Sequence, residues 1–160
     1  MGRSKKIKWN FGDVFAIPLL NGKFAIGQVL DLIMTNVIRC ALFDEVIDDT
    51  KGVDLDVICN STKLISLIAS SREQLDYGVW EIIGNKKILI PKSKFPYEKL
   101  RDKGWVGATF HDAALVEDFL NAFHALSPWD DWHDPNYLDE YLIDKSKKPP
   151  NLILSKKGKI

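Results

Sequence analysis

Two apolar runs, Val14–Leu20 and Phe24–Asp31, meet across Asn21-Gly22. Asn-Gly favours the positive φ values that a two-residue hairpin turn needs at both central positions, so the flanking runs read as paired antiparallel strands. Both runs are apolar at nearly every position instead of at alternate ones, which predicts a sheet packed against something on each face. Pro18 has no N–H to give to a ladder, so its rung belongs at an edge or a bulge. A chain that opens this way is committed to a β-rich first half.

The rest of that half agrees. Val37–Phe43 is a third strand and Leu64–Ala69 a fourth, with an acidic, glycine-containing loop, Asp44 to Asp56, between them. Arg72–Tyr77 is a short helix or turn. Val79–Ile83 and Lys86–Ile90 form a second hairpin over Gly84-Asn85. The second half changes period. Asp112 caps a helix from Ala113 to about Leu126, with Val116, Phe119, Leu120 and Phe123 on one stripe, and Pro128 stops it. Asp134-Pro135 opens a short second helix, Asn136 to about Ile143. The expected fold is α+β: a small, strongly curved antiparallel sheet or barrel of about five to six strands, followed by a C-terminal helix or two. Residues 1–160 form a single domain, with 9–144 the folded body and 1–8 and 145–160 basic tails. Leu152-Ile153-Leu154 could add a final strand to the second tail.

Composition places this domain in its surroundings. Of 160 residues, 46% are apolar and 28% charged, ordinary for a globular protein, and no apolar run approaches the length that crosses a bilayer. The basic N-terminus lacks a following apolar region, so no secretory signal is read. Cys40 and Cys59 sit in apolar contexts without CxxC spacing, as buried thiols of a reduced compartment do, and the expected location is cytoplasmic.

The formal net charge of zero hides a segregation. All 22 acidic residues lie in 13–144 with only 12 of the 22 basic ones, so that body carries −10. Gly104 to Asp144 holds nine acids and no Lys or Arg. Such a body repels nucleic acid and attracts basic partners, and neither nucleic acid nor a membrane is expected as a partner.

No P-loop, GxGxxG, GxSxG or HExxH pattern is present, and no cofactor is expected. The three histidines, His111, His124 and His133, fall in the acidic half, and His111 and His133 with nearby carboxylates are the one candidate metal set. Against it, Asp112 and Asp134 already read as helix caps. The candidate partner-binding residues are Trp129, Asp130, Asp131, Trp132, Asp134, Tyr137, Asp139, Glu140 and Tyr141. Aromatic anchors ringed by acids suit a grip on a basic partner, because aromatics carry much of the interface energy while charges set rate and register. The loop from Asp44 to Asp56 is the second choice. The C-terminal lysines have no aromatic among them to stack a base and read as a solvated tail.

The stretch Gly12-Asp13-Val14-Phe15-Ala16-Ile17-Pro18-Leu19, then Asn21-Gly22-Lys23-Phe24-Ala25-Ile26-Gly27-Gln28-Val29-Leu30, resembles the opening of the immunity protein 26 family. Gly78-Val79-Trp80-Glu81-Ile82-Ile83-Gly84 is similar to a later part of the same family, so the resemblance spans residues 11–95. It implies a protein without chemistry of its own that binds and blocks a cognate toxin domain inside the bacterial cell that makes both. It transfers no binding residues, since such surfaces diverge with each toxin. Nuclease toxins are basic because they grip phosphates, so the acidic body points to a nuclease as the partner. The alternatives are a metal-dependent hydrolase using His111 and His133, and a small-barrel adaptor domain.

Overall fold

The computed structural model describes residues 5–155; residues 1–4 and 156–160, the outer parts of the expected basic tails, lie outside the described residues. Strands β1 (Asp13–Pro18), β2 (Phe24–Ile33), β3 (Val37–Ile47) and β4 (Leu64–Ser71) run as an antiparallel meander. A fifth strand, β5 (Glu81–Asn85), pairs with the other side of β1, giving the order β4-β3-β2-β1-β5. The fold is therefore α+β around five antiparallel strands. The sheet is open, not a barrel, and β4 and β5 are its edges.

The first reversal is longer than the two-residue turn expected from Asn21-Gly22. Leu19 N donates to Lys23 O at 2.8 Å and Gly22 N to Leu19 O at 3.1 Å, so three residues make the loop. Only Gly22 takes a positive φ, at 82°, the geometry of a hairpin closed by a left-handed glycine. Pro18 does occupy a rung with a missing neighbour: it pairs with Phe24 on β2, while β5 reaches only as far as Ala16.

Both faces of the sheet are covered, as the unbroken apolar runs predict. Phe15, Ile17, Val29, Cys40, Leu42 and Ile65 pack with Val116, Phe119, Leu120 and Phe123 of the helix Ala113–Phe123. Val14, Ile26, Leu30, Ala41 and Phe43 face Ile58, Cys59 and Phe95 on the other side. Gly27 is bare so that the Phe15 ring can cross β2: a Cβ there would lie 2.5 Å from Phe15 Cζ. That ring is itself held by the buried Trp80, stacked at 5.2 Å and 5°. Both cysteines are free and buried, and burial pushes the Cys40 thiol up to about 12 and Cys59 to about 11. They stay protonated and unreactive near neutral pH.

Arg39 on β3 is fully buried, an unusual place for a guanidinium. Its Nε donates to Asp31 Oδ1 at 2.7 Å and its Nη2 to Asp31 Oδ2 at 2.5 Å, while Nη1 reaches Glu98 Oε1 at 2.9 Å and the Pro96 carbonyl at 3.0 Å. Phe95 and Trp105 stack on it at 5.0 and 5.2 Å. These contacts fasten the irregular stretch from Phe95 to Trp105 to the sheet, with its 3₁₀ segment Glu98–Lys103.

Four local expectations are corrected. Gly84-Asn85 makes no second hairpin; both residues lie inside β5, and Lys86–Ile90 is not a strand. The open side of β1 takes the segment instead. Asn85 Nδ2 bonds Asp13 Oδ1 at 3.0 Å, and Gly84 gives room to Leu55, whose Cδ1 lies 2.6 Å from where a Cβ would be. The main helix ends at Phe123, before Pro128 acts. Ala125 turns left-handed (φ 61°), and Leu126 N bonds Asn121 O at 2.8 Å, a Schellman-type stop. Its start is capped not by the Asp112 carboxylate but by Ser71 Oγ, which accepts from Ala113 N at 2.9 Å. The second helix is shorter than expected, a 3₁₀ segment from Tyr137 to Tyr141. Asp134 does open it, with Oδ1 accepting from Asn136 N at 2.9 Å.

Candidate functional site

The segment from Trp129 to Asp144 lies across the main helix and the β4 edge, and it is held there by some of the residues expected to face a partner. Trp129 is 1% exposed, with its ring 5.6 Å from Phe119. Its indole N–H donates to Asp139 Oδ1 at 2.6 Å, and Lys148 Nζ sits 3.0 Å from the same oxygen. Asp130 is buried and its Oδ1 accepts from Ser155 N at 2.6 Å; that bond holds the carboxyl below its ordinary value. Leu138 and Leu142 are buried, and Ile143 N donates to Ile65 O on β4 at 2.7 Å. Trp129, Asp130 and Asp139 thus position the segment.

The other six reach the surface. Trp132, Tyr137 and Tyr141 are half-buried and Asp131, Asp134 and Glu140 exposed. The aromatics form a row: Trp132 lies 4.9 Å from Tyr137, and Tyr137 5.3 Å from Tyr141, edge to face. Tyr141 donates its hydroxyl proton to Tyr137 Oη at 2.8 Å. Burial and that bond push the Tyr141 hydroxyl up, so it stays neutral. His111 continues the row, 4.9 Å from Tyr141 and edge to face. Burial lowers its pKa, favouring the neutral imidazole.

Two clefts meet at His111. One, of about 510 Å³, runs between the start of the main helix and Trp132 and Tyr137, with Asp112 and Asp118 on its wall. The other, of about 290 Å³, lies against the β4 edge at Leu67, between Tyr97, Thr109, Glu140 and Tyr141. Leu67, Tyr97 and Thr109 carry no sequence signal of such a role. Each is brought to Tyr141 only by the packing of the Phe95–Trp105 stretch and of residue 111 on β4.

In both acidic candidates some carboxylates pair with a cation and some do not: among the described residues Asp44, Asp49 and Asp54 of the loop, like Asp131, Asp134 and Glu140 of the segment, have no Lys or Arg partner. In the loop region Glu45 pairs with Lys63, Asp48 with Lys23 at 3.3 Å and Asp56 with Lys86 at 3.7 Å. Asp49 and Asp54 accept local backbone N–H groups at 3.0 Å each. Among the described residues no three His, Cys, Asp and Glu side chains converge in a way that could hold a metal ion. No helix among them is long and apolar enough to cross a membrane.

An open five-stranded antiparallel sheet with one main helix on one face defines an α+β fold, and the segment after the helix adds aromatics and carboxylates that have no Lys or Arg partner among the described residues. The chain belongs to the immunity protein 26 family, whose sequence model matches residues 10–105. That span covers all five strands and the stretch that Arg39 fastens, and stops short of the main helix and the acidic segment. No curated protein and no solved structure matches the chain.

Proposed function

We infer that the chain neutralises a cognate bacterial toxin by binding it directly, and that Asp131, Trp132, Asp134, Tyr137, Glu140 and Tyr141 meet a basic toxin, a nuclease. The observation that carries this reading is the set of carboxylates with no Lys or Arg partner among the described residues, beside the aromatic row, on a family framework that implies a toxin partner. Carboxylates with no internal cation leave their field available to steer a basic surface inward, and half-buried aromatics supply area to bury once it arrives. A nuclease surface is basic because it grips phosphates, so an acidic cover competes with its substrate.

The test is a triple variant, Asp131→Asn, Asp134→Asn and Glu140→Gln, titrated against the cognate toxin domain. The expected result is an unchanged melt, since exposed acids contribute little to stability, with an on-rate that is lower than the parent's and less dependent on salt. Steered pairs gain roughly 10- to 1000-fold in on-rate. A folded variant that binds and protects as well as the parent would place the interface elsewhere, with the Asp44–Asp56 loop next in line.

A further inference from the structure

We propose that the cleft at the β4 edge is a receptor for one arginine side chain of the toxin, with Leu67, Tyr97, Glu140 and Tyr141 as its recognising groups. The proposal rests on the reading above and names the group that the acidic surface receives.

The argument begins with the backbone. In an antiparallel ladder, successive residues of an edge strand point their N–H and C=O alternately toward the neighbouring strand and away from it. On β4 the outward set is Ile65, Leu67, Ala69 and Ser71. Ile65 O accepts from Ile143 N at 2.7 Å, Ala69 O accepts from His111 N at 3.0 Å, and Ser71 N donates to His111 O at 2.9 Å. Leu67 lies between these two covers, in the regular part of the β3 pairing, and among the described residues its outward groups have no partner. The chain therefore closes its own sheet edge on either side of one residue and leaves that residue open at the floor of the cleft.

The width of the gap decides what kind of group can enter. Ile65 and Ala69 are four residues apart, roughly 13 Å of strand, and both ends are taken by this chain. An added strand has no length in which to pair. A single long side chain does, and the cleft's volume of about 290 Å³ suits one side chain better than an extended segment.

Charge and shape then select arginine. Glu140 is exposed on the rim with no Lys or Arg partner among the described residues, the Leu67 carbonyl is an acceptor, and Tyr97 and Tyr141 present aromatic walls. Tyr97 is pinned by its hydroxyl, 2.7 Å from Thr109 Oγ1. A planar guanidinium with five donors satisfies a carboxylate and a carbonyl while stacking on rings, which a compact ammonium does less well. This protein already uses that recipe on itself. Arg39 lies between Phe95 and Trp105, with carboxylates of Asp31 and Glu98 and the Pro96 carbonyl around it. Pro96 also lines the open cleft, so an occupied and an empty version of one arrangement stand side by side.

The test has two arms. The first titrates the full chain with the peptides Gly-Arg-Gly and Gly-citrulline-Gly at millimolar concentration, followed by amide chemical shifts. The arginine peptide is expected to move Leu67, Tyr97, His111 and Glu140, and the citrulline peptide, which lacks the charge, to leave them in place. No movement there, or equal movement with both, overturns the proposal. The second arm measures toxin affinity for Glu140→Gln and for Thr109→Lys, which places the chain's own cation in the cleft. Each is expected to weaken binding at least tenfold with an unchanged melt. If the toxin binds parent and both variants alike, the receptor is refuted and the immunity role stands. If the toxin binds no form of the chain, the immunity role fails, and the peptide titration decides the cleft by itself.

Discussion

The indole N–H of Trp129 donates to Asp139 Oδ1 at 2.6 Å, ten residues along the chain, and this bond ties the ends of a segment that otherwise has little regular structure. A buried indole donor left without its acceptor costs about 1–3 kcal/mol. Asp139→Leu is therefore expected to lower stability by that amount, and Asp139→Asn, which keeps an acceptor oxygen, by less. Urea unfolding followed by Trp fluorescence checks both. Equal stability of Asp139→Leu and the parent would refute a fastening role.

Gly27 and Phe15 are partners across β1 and β2, and the ring occupies the space of the missing Cβ. Trp80 blocks the ring from moving away. Gly27→Ala is expected to destabilise by about 1–3 kcal/mol through overpacking. Adding Phe15→Leu should recover part of that loss, so the double-mutant cycle is non-additive by about 0.5 kcal/mol or more. Additive melts would show that the contact relaxes without strain.

Gly22 has nothing within 4 Å of its would-be Cβ, so a substitution there acts through backbone alone. With φ at 82°, Gly22→Val is expected to lose about 1–3 kcal/mol and Gly22→Asn distinctly less, since Asn tolerates this region better. Thermal melts of the two variants measure the difference, and a Val variant as stable as the Asn variant contradicts the assignment of strain to this residue.

Glu98 receives the side chains of Arg101 and then Arg39, and these hold its carboxyl down to about 2 from an ordinary 4.5. A depressed carboxyl contributes stability that is complete above its unfolded pKa and is lost as pH falls through the folded one. The expected window of loss runs from about pH 5 down to about pH 2. Urea midpoints measured at pH 6 and pH 3 should converge in Glu98→Gln relative to the parent. A parent and variant with the same pH slope would remove Glu98 from the acid response.

The strands β1 to β4 and the main helix were legible because their signals are local. Apolar runs broken by Gly and Asn, and a stripe at helical period, depend only on neighbours in sequence. The same locality explains the errors. Gly84-Asn85 has the chemistry of a turn, yet both residues continue a strand that pairs with the free side of β1, a partner some seventy residues away in the chain. Pro128 looked like the helix stop, yet Ala125 had already turned left-handed three residues earlier.

The candidate segment divides along the same line. Its residue types, four aromatics and six acids from Trp129 to Asp144 without a basic residue, are a property of sequence, and so is the field they generate. Which of them fasten the fold and which face outward is decided by partners distant in the chain: Lys148 for Asp139, Ser155 for Asp130, Phe119 for Trp129. The open rung at Leu67 is wholly tertiary, because it exists only where His111 and Ile143 stop on either side of it. Short-range periodicity and composition set strands β1 to β4, the main helix and the sign of the charge. The tertiary structure decided which carboxylates have no Lys or Arg partner among the described residues and where the sheet edge stays open, because both depend on long-range contacts whose partners no local pattern specifies.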